Sequence, residues 1–263
     1  MAQTDEHVLS NHQHAVAERV VGEESALREH VVIYLSGAHA YGFPSPDSDL
    51  DLKAIHIVPT RALLGFEPPV LTFDRTEVID GVEIDYTSNE LANALAGILQ
   101  GNGNFLERIL GRNAFTRSPL LDELRVLAQA SLSRRVHKHY RGFAASQLRF
   151  LERDPIVKKV LYVLRTALTG THLLRTGELE ADVTRLLDDY GLSDALELVA
   201  AKRAGERTAA DPALLDAWRP RLATALKSLD DALGRSVLPE VPPSSSEKAL
   251  EEWLIEARRS RLK

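Results

Sequence analysis

Apolar positions in the first third of the chain follow the patterns of β-strands. Residues 31–35 form a run of β-branched and aromatic residues that predicts a buried strand, and residues 50–58 predict a second one. Two further predicted strands, 70–79 and 82–87, flank Asp80-Gly81. Asp-Gly between alternating strands favours a tight hairpin, because both turn positions need positive φ. The first third therefore predicts a small β-sheet.

After residue 87 the apolar pattern becomes helical for the rest of the sequence. Three helix starts are predicted where a capping residue precedes proline, namely at Ser118-Pro119, Asp154-Pro155 and Asp211-Pro212. A linker rich in proline and serine, residues 239–246, precedes a last amphipathic helix. This order of elements predicts an α+β fold, in which a small mixed β-sheet lobe is followed by an all-helical bundle lobe.

The length of 263 residues is enough for two lobes with separate cores. We expect a sheet-containing domain in residues 1–112 and a C-terminal helical domain in residues 113–263. No segment approaches the roughly 18 apolar residues that a membrane span needs, so a membrane is not an expected partner. The first residues carry acids and no apolar run, from which we expect a cytoplasmic location.

Composition limits the chemistry that the chain can carry. Cysteine is absent, which excludes disulfides, thiolate metal sites and cysteine nucleophiles. The formal net charge of −6 argues against nonspecific coating of nucleic acid, which depends on neutralising phosphates. Residues 112–180, however, hold thirteen Lys and Arg against six Asp and Glu. They could form a basic face for a nucleic acid, or they could be ordinary solvated helix surfaces.

Two aspartates one residue apart are the strongest chemical signal. Asp49 and Asp51 would share one face of the strand over residues 50–58, close enough to bind the same divalent ion. Carboxylate oxygens without a nearby thiolate or imidazole suit Mg²⁺ or Mn²⁺. The second hairpin strand offers a third ligand, for which Asp85 is our choice and Glu83 the less favoured alternative. We therefore predict Asp49, Asp51 and Asp85 as catalytic metal ligands.

A turn of small residues precedes these aspartates. The segment Ser36-Gly37-Ala38-His39-Ala40-Tyr41-Gly42 leaves a strand and opens a short helix, an arrangement that exposes backbone N–H groups to phosphate. On the helical side, Lys158, Tyr162 and Arg165 fall on one helix face. They could contact a triphosphate or a base, or form an exposed basic stripe. The predicted nucleotide-binding residues are Ser36, Gly37, Ala38, His39, Tyr41, Lys158, Lys159, Tyr162 and Arg165.

These motifs resemble those of the DNA polymerase β superfamily of nucleotidyltransferases, and more closely its bacterial subgroup associated with RNA repair. Gly37-Ala38-His39-Ala40-Tyr41-Gly42 and Pro46-Asp47-Ser48-Asp49-Leu50-Asp51 match the subgroup's two linked motifs. The resemblance implies metal-dependent transfer of a nucleoside monophosphate from a nucleoside triphosphate (NTP), with ATP expected, to an acceptor hydroxyl. Ala38 departs from the pattern, because the subgroup has a phosphate-binding serine at this position.

The acceptor is open at this stage. The subgroup resemblance and the basic region favour an RNA 3′ end, whereas a protein hydroxyl, as in AMP-transferring enzymes, is an alternative. Ala38 also leaves open a non-catalytic nucleotide or RNA sensor with the same fold. His137, Lys138, His139 and Arg141 could contact a nucleic acid backbone or be a solvated helix surface.

Overall fold

The structure is a computed structural model that describes residues 9–262. Residues 1–8, from which a cytoplasmic location is expected, lie outside the described residues. The strands are β1 (Glu29–Leu35), β2 (Leu50–Ile57), β3 (Thr72–Ile79), β4 (Val82–Glu90) and β5 (Ala114–Arg117). The α-helices are α1 (Asn11–Leu27), α2 (Gly37–Tyr41), α3 (Thr60–Leu63), α4 (Leu91–Leu99), α5 (Gly103–Leu110), α6 (Pro119–Ala130), α7 (Val136–Arg153), α8 (Val157–Thr176), α9 (Leu196–Arg203), α10 (Pro212–Gly234) and α11 (Ser244–Arg259).

The strands form one mixed sheet in the order β3-β4-β2-β1-β5. β5 lies in the part of the chain for which the sequence predicts only helices, so that prediction is wrong for residues 114–117, which pair with β1. β2 and β4 run parallel, and the other neighbouring strands are antiparallel. The predicted hairpin is present, with φ of 50° at Asp80 and 83° at Gly81. The α+β fold with a mixed sheet and a helical lobe is thereby confirmed.

The described residues divide into two compact units. The sheet unit comprises residues 9–36, 49–133 and 241–262, and the helical unit comprises Gly37–Ser48 and Arg134–Glu240. This division differs from the predicted boundary between residues 112 and 113. In the sheet unit, α11 is held by an ion pair between Arg258 and Glu90 at 3.0 Å and by a hydrogen bond from Trp253 Nε1 to Glu123 at 2.8 Å.

Along the first half of β2 and the facing part of β4, one face of the sheet is apolar and the other is polar. Alternate residues of β2 and β4, among them Leu50, Leu52, Ile84 and Tyr86, are buried on the first face. The residues between them are only partly buried and are mostly charged or hydroxylated. This alternation follows from the two-residue repeat of a strand. The predicted carboxylates lie on the polar face.

The helical unit is built around α8, which packs against α7 and α10. Ser118 and Asp211 precede helices that begin at proline, as predicted. The start predicted at Asp154-Pro155 is wrong. α8 begins at Val157, because Ile156 is extended and forms a β-bridge with Ala209, while Asp154 ends α7. Among residues 9–262, no helix is both long enough and apolar enough to cross a membrane.

Candidate active site

Two of the predicted carboxylates lie side by side on neighbouring parallel strands. The register of β2 with β4 pairs Asp51 with Asp85, so both side chains leave the same face of the sheet. Asp49 lies immediately before β2, two residues before Asp51, and is half-buried. The hydrophobic residues between these aspartates fix the register, since a slip of one residue would turn the carboxylates into the core.

A lysine lies between the paired carboxylates. Lys53 Nζ is 2.8 Å from Asp85 Oδ2 and 3.8 Å from Asp51 Oδ1, and it donates a hydrogen bond to the Asp85 carbonyl oxygen at 3.2 Å. The ammonium group offsets the repulsion between two acids that would otherwise face each other across one strand spacing. The sequence alone does not predict that Lys53 pairs with both carboxylates.

The donor set suits a hard divalent cation. Within residues 9–262 there is no group of three or more His, Asp or Glu side chains placed to hold a metal ion. The pair Asp51 and Asp85 nevertheless matches the usual protein contribution to a magnesium site, where one or two carboxylates bind and substrate phosphates complete the coordination. Glu83 is exposed on the same face and pairs with Val78 of β3.

The predicted phosphate turn begins in the sheet unit and continues in the helical unit. The Ser36 N–H donates to the Asp51 carbonyl oxygen at 2.8 Å, which extends the pairing of β1 with β2. Residues Gly37–Tyr41 form α2, in which the side chains of His39 and Tyr41 are buried. Gly42 then has φ of 88°, and a Cβ at this position would overlap the Asp182 carboxylate. Only glycine fits both demands.

Three predicted nucleotide-binding residues pack together within the helical unit. The Arg165 guanidinium lies 3.6 Å from the centre of the Tyr41 ring, and Tyr162 meets the same ring edge-on at 5.7 Å. Phe43 completes the group, 5.6 Å from Tyr162. Tyr41 and Arg165 are 9% and 5% exposed, so this cluster joins the α2 segment to α8 by packing.

Each of the two predicted lysines on α8 forms an ion pair with an acidic residue. Lys158 pairs with Glu206, and Lys159 Nζ lies 2.6 Å from Asp154 Oδ2. Lys158 also lies 5.8 Å from the centre of the Tyr162 ring. Their role in nucleotide binding stays a prediction, and any anion that they bind must compete with Glu206 and Asp154.

A fully buried lysine organises the chain just before Asp49. Lys202 on α9 is 0% exposed, and its Nζ lies 2.7 Å from Ser45 Oγ, 3.2 Å from Ser48 Oγ and 2.6 Å from Glu206 Oε2. The Glu206 N–H also donates to Asp47 Oδ2 at 3.3 Å. The sequence does not predict this cluster, because the serines and Lys202 are about 155 residues apart along the chain. Only the i, i+4 spacing of Lys202 and Glu206 hints at it.

Electrostatics in this cluster favour ionised acids. Burial opposes ionisation of Glu206, but hydrogen bonds from Lys158 and Lys202 outweigh it and lower the pKa of Glu206. A hydrogen bond from the Ser45 side chain lowers the pKa of Asp47. The residues that lead into the aspartate motif are therefore held by charge-assisted hydrogen bonds.

Two histidines lie buried on the apolar face of the sheet, away from the carboxylates. His30 Nε2 is 2.7 Å from the Tyr86 hydroxyl, and His56 Nδ1 is 2.8 Å from Ser88 Oγ. Burial, together with the nearby Arg28 charge, lowers the pKa of each imidazole to about 4. Both are neutral near pH 7, so they contribute packing and hydrogen bonds to the core that supports the site.

Comparison with known proteins identifies the family. Residues 12–256 match the family described as the RNA repair pathway DNA polymerase beta family, which is nearly the whole chain. The chain belongs to this family. It is thus a transferase of the nucleotidyltransferase class, and enzymes of this class generally use an NTP and a divalent metal ion.

Individual proteins are also similar to the chain. An uncharacterized protein of Methanocaldococcus jannaschii is 28% identical over 166 residues, covering 61% of this chain and 67% of that protein. The solved structure of a nucleotidyltransferase-like protein from Exiguobacterium sibiricum is 15% identical, with 95% of this chain and 81% of that chain covered and a TM-score of 0.35. Structural similarity at that level supports no inference, so the assignment depends on the family match.

Proposed function

We propose that the protein transfers a nucleoside monophosphate from an NTP, with ATP as the expected donor, to the 3′ hydroxyl of an RNA and releases pyrophosphate. The observation that carries the proposal is that Asp51 and Asp85 lie directly opposite each other on adjacent parallel strands, with Asp49 two residues before Asp51. Membership of the RNA repair pathway DNA polymerase beta family supports RNA as the acceptor.

Asp49, Asp51 and Asp85 would hold Mg²⁺ or Mn²⁺. Bound there, the metal would neutralise the triphosphate and lower the pKa of the acceptor hydroxyl. The carboxylates would orient the acceptor, and Asp85 would help to accept the proton of its hydroxyl. Lys53 must leave Asp85, or share it, when a metal and a triphosphate arrive, since its ammonium lies within 2.8 Å of the same oxygen.

A test of the proposal needs an acceptor, a donor and matched variants. Labelled ATP, Mg²⁺ and an oligoribonucleotide with a free 3′ hydroxyl should yield an RNA longer by one or more nucleotides, together with pyrophosphate. An RNA with a 3′-deoxy end should give neither product. Asp51→Asn and Asp85→Asn should each lower the rate roughly 100-fold or more, because each removes a ligand worth several kcal/mol in the transition state.

Asp74→Asn is the matched control. Asp74 is an exposed aspartate of β3 on the same face of the sheet, where it pairs with Thr87 rather than with β2. It should keep near wild-type activity. If Asp51→Asn and Asp85→Asn were as active as Asp74→Asn, the proposed role of the carboxylates would be refuted. If label entered proteins of a lysate but not RNA, the enzyme would be an AMP-transferring protein modifier instead.

A non-catalytic sensor is the second candidate, and two observations favour it. Lys53 already supplies a positive charge to Asp51 and Asp85, and Ala38 lacks the hydroxyl expected to contact a phosphate. A sensor would bind ATP without Mg²⁺, and Asp51→Asn would not change its affinity. The proposed enzyme should instead bind ATP more tightly when Mg²⁺ is present, and this gain should disappear in Asp51→Asn.

A further inference from the structure

The exposed face of α7 combines basic and aromatic side chains. Positions separated by three, four and seven residues share one face of a helix, which groups the residues of this surface. We define the α7 surface as Lys138, His139, Phe143, Arg149, Phe150 and Arg153. It belongs to the helical unit and contains none of the aspartates of the proposed active site.

The aromatic side chains of the α7 surface are displayed to solvent. Phe143 and Phe150 are 44% and 48% exposed, which is unusual for side chains of this size. His139 stacks on Phe143, with ring centroids 4.8 Å apart and an interplanar angle of 24°. Flat, accessible rings of this kind can stack on unpaired bases.

The charged residues of the α7 surface are all basic. Lys138, Arg149 and Arg153 are exposed on it, and the only acid of α7, Glu152, lies on another side of the helix and pairs with Arg219 at 3.3 Å. His137 and Arg141 also face elsewhere, because both contact Asp230, at 2.9 Å and 3.0 Å. The basic residues thus remain grouped around the two phenylalanines in a protein whose net charge is −6.

We infer that the α7 surface binds single-stranded RNA, with phosphates on the basic residues and bases on Phe143 and Phe150. The choice of RNA over DNA rests on the proposed function. A duplex would not use the rings, because its bases are already stacked and protein contacts to it go mainly to the backbone and the 2′-hydroxyls. An anionic membrane would use the same charges, but two phenylalanines offer little apolar area for insertion.

Fluorescence anisotropy of the full chain with a labelled single-stranded RNA tests this inference. No NTP or metal is added, so failure to bind is distinguishable from failure of nucleotide transfer. Phe143→Ala/Phe150→Ala should weaken binding roughly ten-fold or more, since each base stacked on an aromatic ring contributes substantially to affinity. Leu196→Ala, which shortens another exposed apolar side chain of the helical unit, should leave binding unchanged.

The salt dependence gives a second, independent measurement. Arg149→Gln/Arg153→Gln should reduce the slope of log affinity against log salt by about 1.4, because each phosphate contact to a single strand contributes about 0.7. Lys248→Gln/Arg259→Gln removes two exposed charges from α11 and should leave the slope unchanged. Circular dichroism would be used to check that each variant is folded.

Three results would overturn the inference. The first is equal loss of RNA affinity in the α11 control and in the α7 variants, which would show that only net charge matters. The second is tight binding of duplex RNA that the phenylalanine variant does not change. The third is binding to anionic phospholipid vesicles that depends on Phe143 and Phe150 while RNA binding does not, which would make the α7 surface a membrane contact.

Discussion

Replacing the buried Lys202 by methionine should destabilise the helical unit strongly. The substitution keeps the aliphatic volume but removes the ammonium that contacts Ser45, Ser48 and Glu206. Removing one partner of a buried ion pair typically costs about 3–5 kcal/mol, because the other charge is left without compensation. Glu206 keeps Lys158 as a partner, so we expect the lower end, about 3 kcal/mol.

A second ion pair of the same spacing provides the control. Lys227 and Asp231 are also an i, i+4 pair, with a separation of 2.9 Å, but the Lys227 side chain is 76% exposed whereas that of Lys202 is 0% exposed. Exposed pairs of this kind contribute about 0.3–0.5 kcal/mol. Lys227→Met should therefore have an effect several times smaller than Lys202→Met.

The two tryptophans allow the measurement to be made on one unit. Trp218 is buried in α10 of the helical unit, whereas Trp253 is in α11 of the sheet unit. In a Trp253→Phe background, urea unfolding followed by tryptophan fluorescence therefore reports on the helical unit. The double variant Lys202→Met/Glu206→Gln completes a cycle, and the effects of the two single substitutions should not add, because Lys202 and Glu206 are in direct contact.

Two outcomes would refute this reasoning. One is a change of less than about 0.5 kcal/mol in Lys202→Met, which would mean that the buried ammonium contributes no more than a surface charge. The other is additivity of Lys202→Met and Glu206→Gln, which would mean that the two side chains are not energetically coupled.

Three further predictions concern the sheet unit and the motif loop. The free energy of unfolding should fall by up to about 3 kcal/mol for each of His30 and His56 as the pH drops from about 6.5 towards 4. In this range the imidazoles of the unfolded chain bind protons, whereas those of the folded protein stay neutral because their pKa values are lowered to about 4. Urea titrations at several pH values measure this change. Gly42→Ala should cost at least about 1–2 kcal/mol more than Gly81→Ala in thermal unfolding, since both have positive φ but only Gly42 faces Asp182. Lys53→Met should raise the affinity for Mn²⁺ about two- to five-fold in calorimetric titration, because it removes an ammonium group whose ion pair with Asp85 contributes about 0.5–1 kcal/mol. An unchanged affinity would show that Lys53 does not compete with the metal.

Local chemistry made several features predictable from the sequence. The hairpin at Asp80-Gly81 followed from the backbone demands of its turn. The helices that begin at Pro119 and Pro212 followed from the preference for proline at the first helical position, and Asp211 also caps its helix, whereas the Ser118 side chain donates to the Val31 carbonyl oxygen instead. The shared face of Asp51 and Asp85 followed from the two-residue repeat of each strand. The start predicted at Pro155 was wrong because Ile156 pairs with Ala209, a partner more than fifty residues away.

The sequence by itself determined four of the five strands of the sheet, the helix starts at Pro119 and Pro212, and the residue types of the candidate site, because these depend on neighbours within a few positions. Only the tertiary structure decided which charges meet. It brought Lys53 to Asp85 from another strand and buried Lys202 against Ser45 and Ser48, and it assigned residues 37–48 and 241–262 to units that chain order does not indicate. Such contacts depend on packing between distant segments, where burial and desolvation set the energy of each pair, and no short sequence pattern encodes them.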